Sequence, residues 1–280
     1  MSEGPSSPRR LVLVGCGRMG GALLRGWLDG GVAAPGAVAV VEPEAAPRAA
    51  AAALGVRALD DAGALGAEES PDLVLFAVKP QAMAAVLPAY GRFAGGATVF
   101  LSIAAGKATA FFERILGAGG AAVPVVRAMP NTPAQVGRGI TALYATAAVD
   151  DAQRTLCETL MGAVGEVLWL DDEGLMDAVT AVSGSGPAYV FLLIECLAEA
   201  ARAAGLPDDI ASRLARATVT GAAELARLSE EDAAELRRQV TSPGGTTAAA
   251  LEVLTAAGGL RDLMTRAVAA AAARSRALAE

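Results

Sequence analysis

The stretch RLVLVGCGRMG, residues 10–20, decides the fold of this 280-residue chain. Residues 10–14 form an apolar run typical of a buried strand, and residues 15–20 match the pattern G-x-G-x-x-G. The following residues, GALLRGWLDGG, carry the spacing of an amphipathic helix. A strand, a glycine-rich turn and a helix in this order predict the opening unit of a dinucleotide-binding domain. The alternative is a glycine-rich turn that binds no ligand.

Each glycine of this turn has a separate predicted task. Gly15 allows the tight turn, Gly17 lets the backbone approach a pyrophosphate, and Gly20 allows close contact between helix and strand. Free N–H groups at the start of the helix would bind the phosphates. The predicted cofactor-binding residues of the turn are Gly15, Cys16, Gly17, Arg18, Met19 and Gly20.

Glu42 follows the second predicted strand, residues 38–41, and is a further predicted cofactor-binding residue. A carboxylate at this place usually accepts hydrogen bonds from a ribose 2′-hydroxyl, which favours NADH. Arg48 lies nearby and could instead reach the 2′-phosphate of NADPH. A third interpretation is a solvated acid at a strand end, so the choice between NADPH and NADH stays open.

Two later strand ends are predicted to face the same crevice. Residues 77–80 close an apolar run that begins at Asp72, and residues 104–106 follow a strand predicted at 98–103. Ligands of open α/β sheets bind outside the carboxyl ends of the strands. A solvated lysine and ordinary helix–sheet packing are the alternatives. The predicted cofactor-binding residues here are Ala77, Val78, Lys79, Pro80, Ala104, Ala105 and Gly106.

The two halves of the chain differ in periodicity. Strands and helices alternate up to about residue 170, which predicts a parallel doubly wound sheet. Helical spacing then dominates, and helices are predicted at 175–182, 187–204, 208–228, 231–240, 247–257 and 260–279. We expect an α/β fold in which an N-terminal Rossmann-type sheet precedes an all-α domain. The predicted organisation is a disordered tail at 1–8, a dinucleotide-binding domain at 9–168 and a helical domain at 169–280.

The stretch VTSPGGTT, residues 240–247, precedes one of these helices and is a candidate carboxylate pocket. Gly244 and Gly245 free the backbone, and the Ser and Thr hydroxyls add hydrogen-bond donors. The positive end of the helix dipole favours an anion at this place. The alternative is a simple N-cap loop.

Composition excludes several classes of protein. The chain has no His, which removes Ser-His-Asp and Cys-His nucleophiles and His-containing metal sites. Its three cysteines form no Cys-x-x-Cys pair, so we expect no metal and no disulfide framework, and free thiols fit the cytoplasm. A net charge of −7 disfavours nucleic acid as a partner. SGSGP interrupts the uncharged stretch 178–194, so we expect no membrane span.

Five stretches together resemble the pyrroline-5-carboxylate reductase family: GCGRMG, AVKPQ, VVRAMPNTPAQVGRG, AVSGSGPAY and QVTSPGGTTAAALEVL, in this order. The resemblance covers residues 10–278. It implies reduction of 1-pyrroline-5-carboxylate to L-proline with NADPH or NADH, in the cytoplasm, by a protein whose helical domain dimerises. Larger rings of dimers also occur in the family. The Ala-rich helices carry more apolar surface than one small domain can bury. Independently of the resemblance, we therefore expect a homodimer at least.

The resemblance also implies the substrate site. The implied substrate-binding residues are Asn131, Ser183, Gly184, Val240, Ser242, Gly244, Gly245, Thr246 and Thr247, with Thr247 as the catalytic residue. The imine nitrogen can arrive already protonated, so no strong general acid is compulsory and positioning can carry the reaction.

Two departures from the family pattern concern the cofactor. Arg18 stands where many members have Asn, and no Asn occurs at 60–64, where some members use one to contact the cofactor. We therefore assign no cofactor contact to that loop.

Two other functions fit parts of the pattern. A dehydrogenase of similar architecture usually needs a catalytic Lys in the helical domain, and residues 171–280 contain no Lys. A scaffold that senses NAD(P) without turnover needs no carboxylate site at 240–247.

Overall fold

The computed structural model of the chain describes residues 10–117, 120 and 122–279. The tail predicted at 1–8 lies outside the described residues. The chain forms two compact units. One runs to Gly184 and takes in the C-terminal residues from Ala272, and the other spans Ser185–Ala271. The domain boundary predicted after residue 168 stays a prediction.

The first unit is built on an eight-stranded sheet with strand order β3-β2-β1-β4-β5-β6-β7-β8. Its strands are β1 Leu11–Val14, β2 Val38–Val41, β3 Arg57–Leu59, β4 Leu73–Phe76, β5 Val99–Ser102, β6 Val125–Met129, β7 Gly139–Ala145 and β8 Gly165–Trp169. Strands β1 to β6 are parallel, which confirms the predicted Rossmann-type sheet. The strand β3 was not predicted, because three residues carry too short a pattern to read.

The sheet departs from the all-parallel prediction at one pair. Strand β7 runs antiparallel to β6, and β8 then runs parallel to β7. The connection 130–138 contains only the short 3-10 helix Thr132–Val136. A parallel crossover needs a connection of about a dozen residues or more, so this chain reverses direction instead.

Helices of this unit cover the two faces of the sheet. They are α1 Arg18–Asp29, α2 Ala45–Ala52, α3 Met83–Val86, α4 Thr109–Leu116, α5 Asp151–Gly162 and α6 Met176–Val179. Alternate residues of β1 enter two separate apolar clusters: Leu13 packs with Trp27 on one face, and Val14 packs with Phe76 on the other. Burial on both faces explains why the strands read as continuous apolar runs.

The remaining helices are α7 Gly186–Ala203, α8 Asp208–Leu228, α9 Ala233–Gln239, α10 Thr246–Thr255 and α11 Leu260–Ala279. They agree with the predicted all-α second part of the chain. Within the second unit, α7 packs against α8. At the corner between these two helices, the Arg202 guanidinium binds the Asp208 carboxylate and the Ser212 hydroxyl.

The break predicted at SGSGP takes the form of a π turn and an N-cap at Ser185, and not of a loop. Helix α6 continues through a π turn at Thr180–Gly184 and leads into α7. Pro187 lies at the first positions of α7, where its missing N–H costs little. The wider π turn accommodates the glycine and serine residues without ending the helix.

The stretch Glu173–Ala203 has 31 residues and a mean hydropathy of 1.5, so it is long and apolar enough to cross a membrane. This statement concerns length and composition only, and helices that pack against other protein can be equally long and apolar. Its exposed apolar side chains include Phe191 at 60% and Leu192 at 57% exposure. Several large apolar side chains exposed on one helix favour an interaction site there.

Candidate active site

The glycine-rich turn joins β1 to α1, and its three glycines meet different surroundings. Gly15 has φ +90°, and a Cβ there would lie 2.8 Å from Val78 Cγ1. A Cβ on Gly20 would meet the carbonyl oxygen of Gly15. A Cβ on Gly17 would meet no atom within 4 Å. The fold itself therefore requires Gly15 and Gly20, while the space in front of Gly17 is open.

The start of α1 is well suited to an anion. Gly17 is the N-cap residue and offers no side-chain cap, and the first turn contains no acidic residue. The N–H groups there carry the positive end of the helix dipole. Arg18 is exposed at the same place. These features together fit the pyrophosphate of a dinucleotide.

The Glu42 side chain is buried, at 7% exposure, and supports the glycine-rich turn. One carboxylate oxygen accepts the Cys16 N–H at 2.6 Å, and the other accepts the Glu44 N–H at 2.9 Å. Arg48 Nη1 donates to the carbonyl oxygens of Glu42 and Pro43 at 2.9 and 2.7 Å. Each carboxylate oxygen has a second lone pair, so a ribose contact stays a prediction.

The Cys16 thiol is not activated as a nucleophile. Burial, and after it the nearby Glu42 carboxylate, raise the pKa of this thiol. A raised pKa keeps the thiol protonated at neutral pH, whereas reactive cysteines have a lowered pKa.

The predicted cofactor residues of three other strand ends meet at the same edge of the sheet. Gly15 N donates to Val41 O at 2.8 Å, and Ala77 N donates to Val14 O at 2.7 Å. Ile103 N, just before Ala104–Gly106, donates to Phe76 O at 3.1 Å. The carboxyl ends of β2, β1, β4 and β5 therefore lie side by side, with Lys79 exposed.

The structure also brings Gly184 close to the end of β6. A Cβ on Gly184 would lie 2.7 Å from Met129 Cε, two residues before Asn131. The Asn131 Oδ1 atom accepts the Ile140 N–H at 2.9 Å, so the side-chain NH₂ remains available as a donor. Ser183 Oγ donates to Val179 O at 3.1 Å, inside the helix.

The stretch 240–247 forms a tight loop in the second unit. Gly244 has φ +68°, and Gly245 N donates to Ser242 O at 3.0 Å. Helix α10 begins at Thr246 with Gly245 as N-cap and no side-chain cap. Thr247 lies half-buried in the first turn. The loop therefore presents an uncapped helix N-terminus with a hydroxyl beside it.

The sequence analysis missed one charged pair, which Arg127 of β6 forms with Glu173. Arg127 belongs to a quoted motif but was not singled out, and its partner Glu173 was not considered. The signal was a charged residue inside the otherwise apolar strand VVRAM. Among the residues that the structure describes, no group of three His, Cys, Asp or Glu side chains could hold a metal ion.

Comparisons with known proteins show what this chain is similar to. A family model described as pyrroline-5-carboxylate reductase dimerisation matches residues 173–278, and one described as NADP oxidoreductase coenzyme F420-dependent matches residues 10–106. The pyrroline-5-carboxylate reductase of Pseudomonas aeruginosa is 44% identical over 98% of both chains. That of Pisum sativum is 35% identical over 96% of this chain and 95% of its own.

Solved structures show the same likeness over nearly the full length. A pyrroline-5-carboxylate reductase from Coxiella burnetii is 36% identical with a TM-score of 0.89, over 98% of this chain and all of the other. The Plasmodium falciparum pyrroline carboxylate reductase, solved with NADP bound, is 26% identical with a TM-score of 0.80. It covers 97% of this chain and 98% of its own.

Proposed function

The chain belongs to the pyrroline-5-carboxylate reductase family, and on that premise we propose how its residues divide the work of the reaction. The chain is an NAD(P)H-dependent oxidoreductase that reduces 1-pyrroline-5-carboxylate to L-proline, the final step of proline biosynthesis. The observation that carries the mechanism is the uncapped helix start at Gly17, open where a dinucleotide pyrophosphate would lie.

The cofactor residues are proposed from the carboxyl edge of the sheet. The glycine-rich turn holds the pyrophosphate, and the ends of β4 and β5 flank it. Small residues at 104–106 leave room for a flat ring against the backbone. When bound, the reduced nicotinamide supplies a hydride. The choice between NADPH and NADH remains open, because Glu42 and Arg48 at the end of β2 favour opposite cofactors.

The substrate residues are proposed from chemistry that an imine with a carboxylate requires. The uncapped start of α10 binds the carboxylate through N–H groups, and the Thr247 hydroxyl donates a further hydrogen bond in the first turn. Asn131, Ser183 and Gly184 of the first unit are proposed as further substrate-binding residues, as are Val240 and Ser242 at the start of the 240–247 loop of the second unit.

Catalysis in this proposal depends on positioning and not on a strong acid. Protonation of the imine nitrogen already makes the C=N carbon electrophilic, so the residues need only orient the ring and exclude water. The raised pKa of Cys16 agrees with a thiol that takes no covalent part.

The chain forms a homo-oligomer through its dimerisation region, and we propose a homodimer as its smallest form in the cytoplasm. Apolar side chains of α7 that are about half exposed, including Leu193 at 49%, support this interface. A ring of dimers is a further proposal. We expect light scattering to give a particle of at least twice the chain mass of 27.9 kDa. A fully active monomer would contradict this expectation.

The activity itself has a direct test. Purified protein mixed with 1-pyrroline-5-carboxylate should consume one NAD(P)H for each L-proline formed, measured by absorbance and amino-acid analysis. A protein that binds NAD(P)H without turnover would instead be a sensor. Turnover of a hydroxy acid in place of the imine would point to another dehydrogenase of this architecture.

A further inference from the structure

The Glu173 carboxylate joins three segments that are distant in sequence. Its Oε1 accepts the Thr109 N–H at 2.8 Å and Arg127 Nη1 at 3.1 Å. Its Oε2 accepts the Thr109 hydroxyl at 2.8 Å. All three residues belong to the first unit. One side chain therefore ties the start of α4, strand β6 and the segment that leads into α6.

The Arg127 guanidinium is an unusual group for a central strand. Its side chain is 9% exposed and pairs with Glu173, whose side chain is 22% exposed. Removing two charges from water offsets most of their attraction, so such a pair is a poor source of stability. Two apolar residues would fill the same space at no greater cost. The charged pair instead fixes the relative orientation of the segments it joins, because its hydrogen bonds have a defined geometry.

The same carboxylate completes the N-terminus of α4. The N-cap residue there is Ala108, which has no side-chain cap to offer. Glu173 supplies the missing acceptor from a remote part of the chain, and a negative charge at this end suits the helix dipole. The loop Ala104–Gly106 precedes Thr109 in the chain, and Glu173 binds Thr109 at the first position of the helix.

The segment 173–184 is attached to β6 at both ends. At its start, Glu173 binds Arg127. At its end, Gly184 approaches Met129 so closely that a Cβ would lie 2.7 Å from Cε. Between them, Met176 is buried. Ser183 and Gly184 therefore sit at the end of a segment held along one strand.

We propose that Arg127 and Glu173 are positioning residues that hold Ser183 and Gly184 beside the Asn131 turn. This inference rests on the proposed function, since it concerns residues assigned there to the substrate site. In this proposal the pair acts through the segment it holds and not through contact with the substrate.

Single and double variants separate positioning from stability. Glu173→Leu leaves the buried Arg127 guanidinium unpaired and should lower Tm by about 6–20 °C. Arg127→Met leaves the partly exposed Glu173 carboxylate bonded to Thr109, so it should lower Tm by less. The double variant Arg127→Met/Glu173→Leu removes both charges, so its Tm should recover most of the loss seen in Glu173→Leu. It should stay below the parent only by the loss of the two Thr109 hydrogen bonds. Its kcat/KM for 1-pyrroline-5-carboxylate should nevertheless stay about 10- to 50-fold low, while NADPH Kd changes less than about threefold.

A matched control uses a second ion pair of the first unit. Arg57 and Glu69 pair at 2.5 Å near β3, with Arg57 half-exposed. The variant Arg57→Met/Glu69→Leu should leave kcat/KM unchanged. Recovery of kcat/KM together with Tm in the Arg127/Glu173 double variant would overturn the proposal, as would an equal loss of NADPH affinity.

Hydrogen exchange of the substrate-free protein gives a readout that does not depend on turnover. Amides of residues 176–184 should exchange faster in the Arg127/Glu173 double variant than in the parent or the control. Unchanged exchange would overturn the positioning role. If the parent protein fails to reduce 1-pyrroline-5-carboxylate, the proposed function is rejected. Faster exchange in the double variant would still uphold the positioning role in that case.

Discussion

Gly17→Val should abolish dinucleotide binding in a protein that keeps its fold. A Cβ on Gly17 meets no atom within 4 Å, and the residue has negative φ, so a branched side chain fits without clash. The same side chain would occupy the space where the pyrophosphate approaches the backbone. We expect NADPH Kd to rise at least about 100-fold and activity to fall with it. Fluorescence titration measures the binding, and circular dichroism and Tm measure the fold.

Two other glycines make this prediction specific. Gly36→Val also points into open space but lies before β2, at the opposite edge of the sheet, so it should leave NADPH binding unchanged. Gly15→Ala should unfold or destabilise the protein, because φ is +90° and the new Cβ would lie 2.9 Å from the carbonyl oxygen of Ala77. If folded Gly17→Val protein bound NADPH normally, the glycine-rich turn would not be the cofactor site.

The first half of the fold was readable from sequence because its signals are local. The run 10–14 and the glycines after it predicted β1, the turn and α1 from neighbours in the chain. The strands β4 and β5 are buried on both faces, so their apolar runs stood out.

The features that sequence reasoning missed depend on distant contacts. The direction of β7 follows from the short connection after Met129, which a strand pattern alone does not reveal. The glycines and serines at 183–186 indicated a break, but Gly184 packs against Met129 within a continuous helical path. Propensity was overridden there by tertiary packing.

The candidate site shows the same division. The sequence placed Glu42 at the end of β2, but the burial of its side chain contradicts the alternative of a solvated acid, and its hydrogen bond to Cys16 N could not be read from either residue. The contact between Glu173 and Arg127 joins residues 46 positions apart, and only the lone charge in a central strand hinted at it. Partner identity in a folded site is a property of three-dimensional packing.

Thr247→Ala should lower kcat/KM for 1-pyrroline-5-carboxylate by roughly 5- to 150-fold, which corresponds to about 1–3 kcal/mol of transition-state stabilisation. The substrate brings a carboxylate to a chain of net charge −7, so local donors must offset the repulsion. The 240–247 stretch contains no Lys or Arg, and the uncapped start of α10 supplies N–H groups instead. The Thr247 hydroxyl adds one more donor in the same turn, and its loss leaves the anion short of a hydrogen bond.

Steady-state kinetics with three variants test this role of Thr247. Thr247→Ser keeps the hydroxyl and should recover most of the lost kcat/KM. Thr255→Ala removes a hydroxyl at the far end of α10, where it donates to Leu251 O at 2.7 Å, and should leave the kinetics unchanged. NADPH Kd should barely change in any of them, since the glycine-rich turn is untouched. A Thr247→Ala enzyme with intact kcat/KM, or one that loses only NADPH affinity, would reduce the 240–247 loop to an N-cap, because a hydroxyl that binds the substrate carboxylate must affect the substrate first.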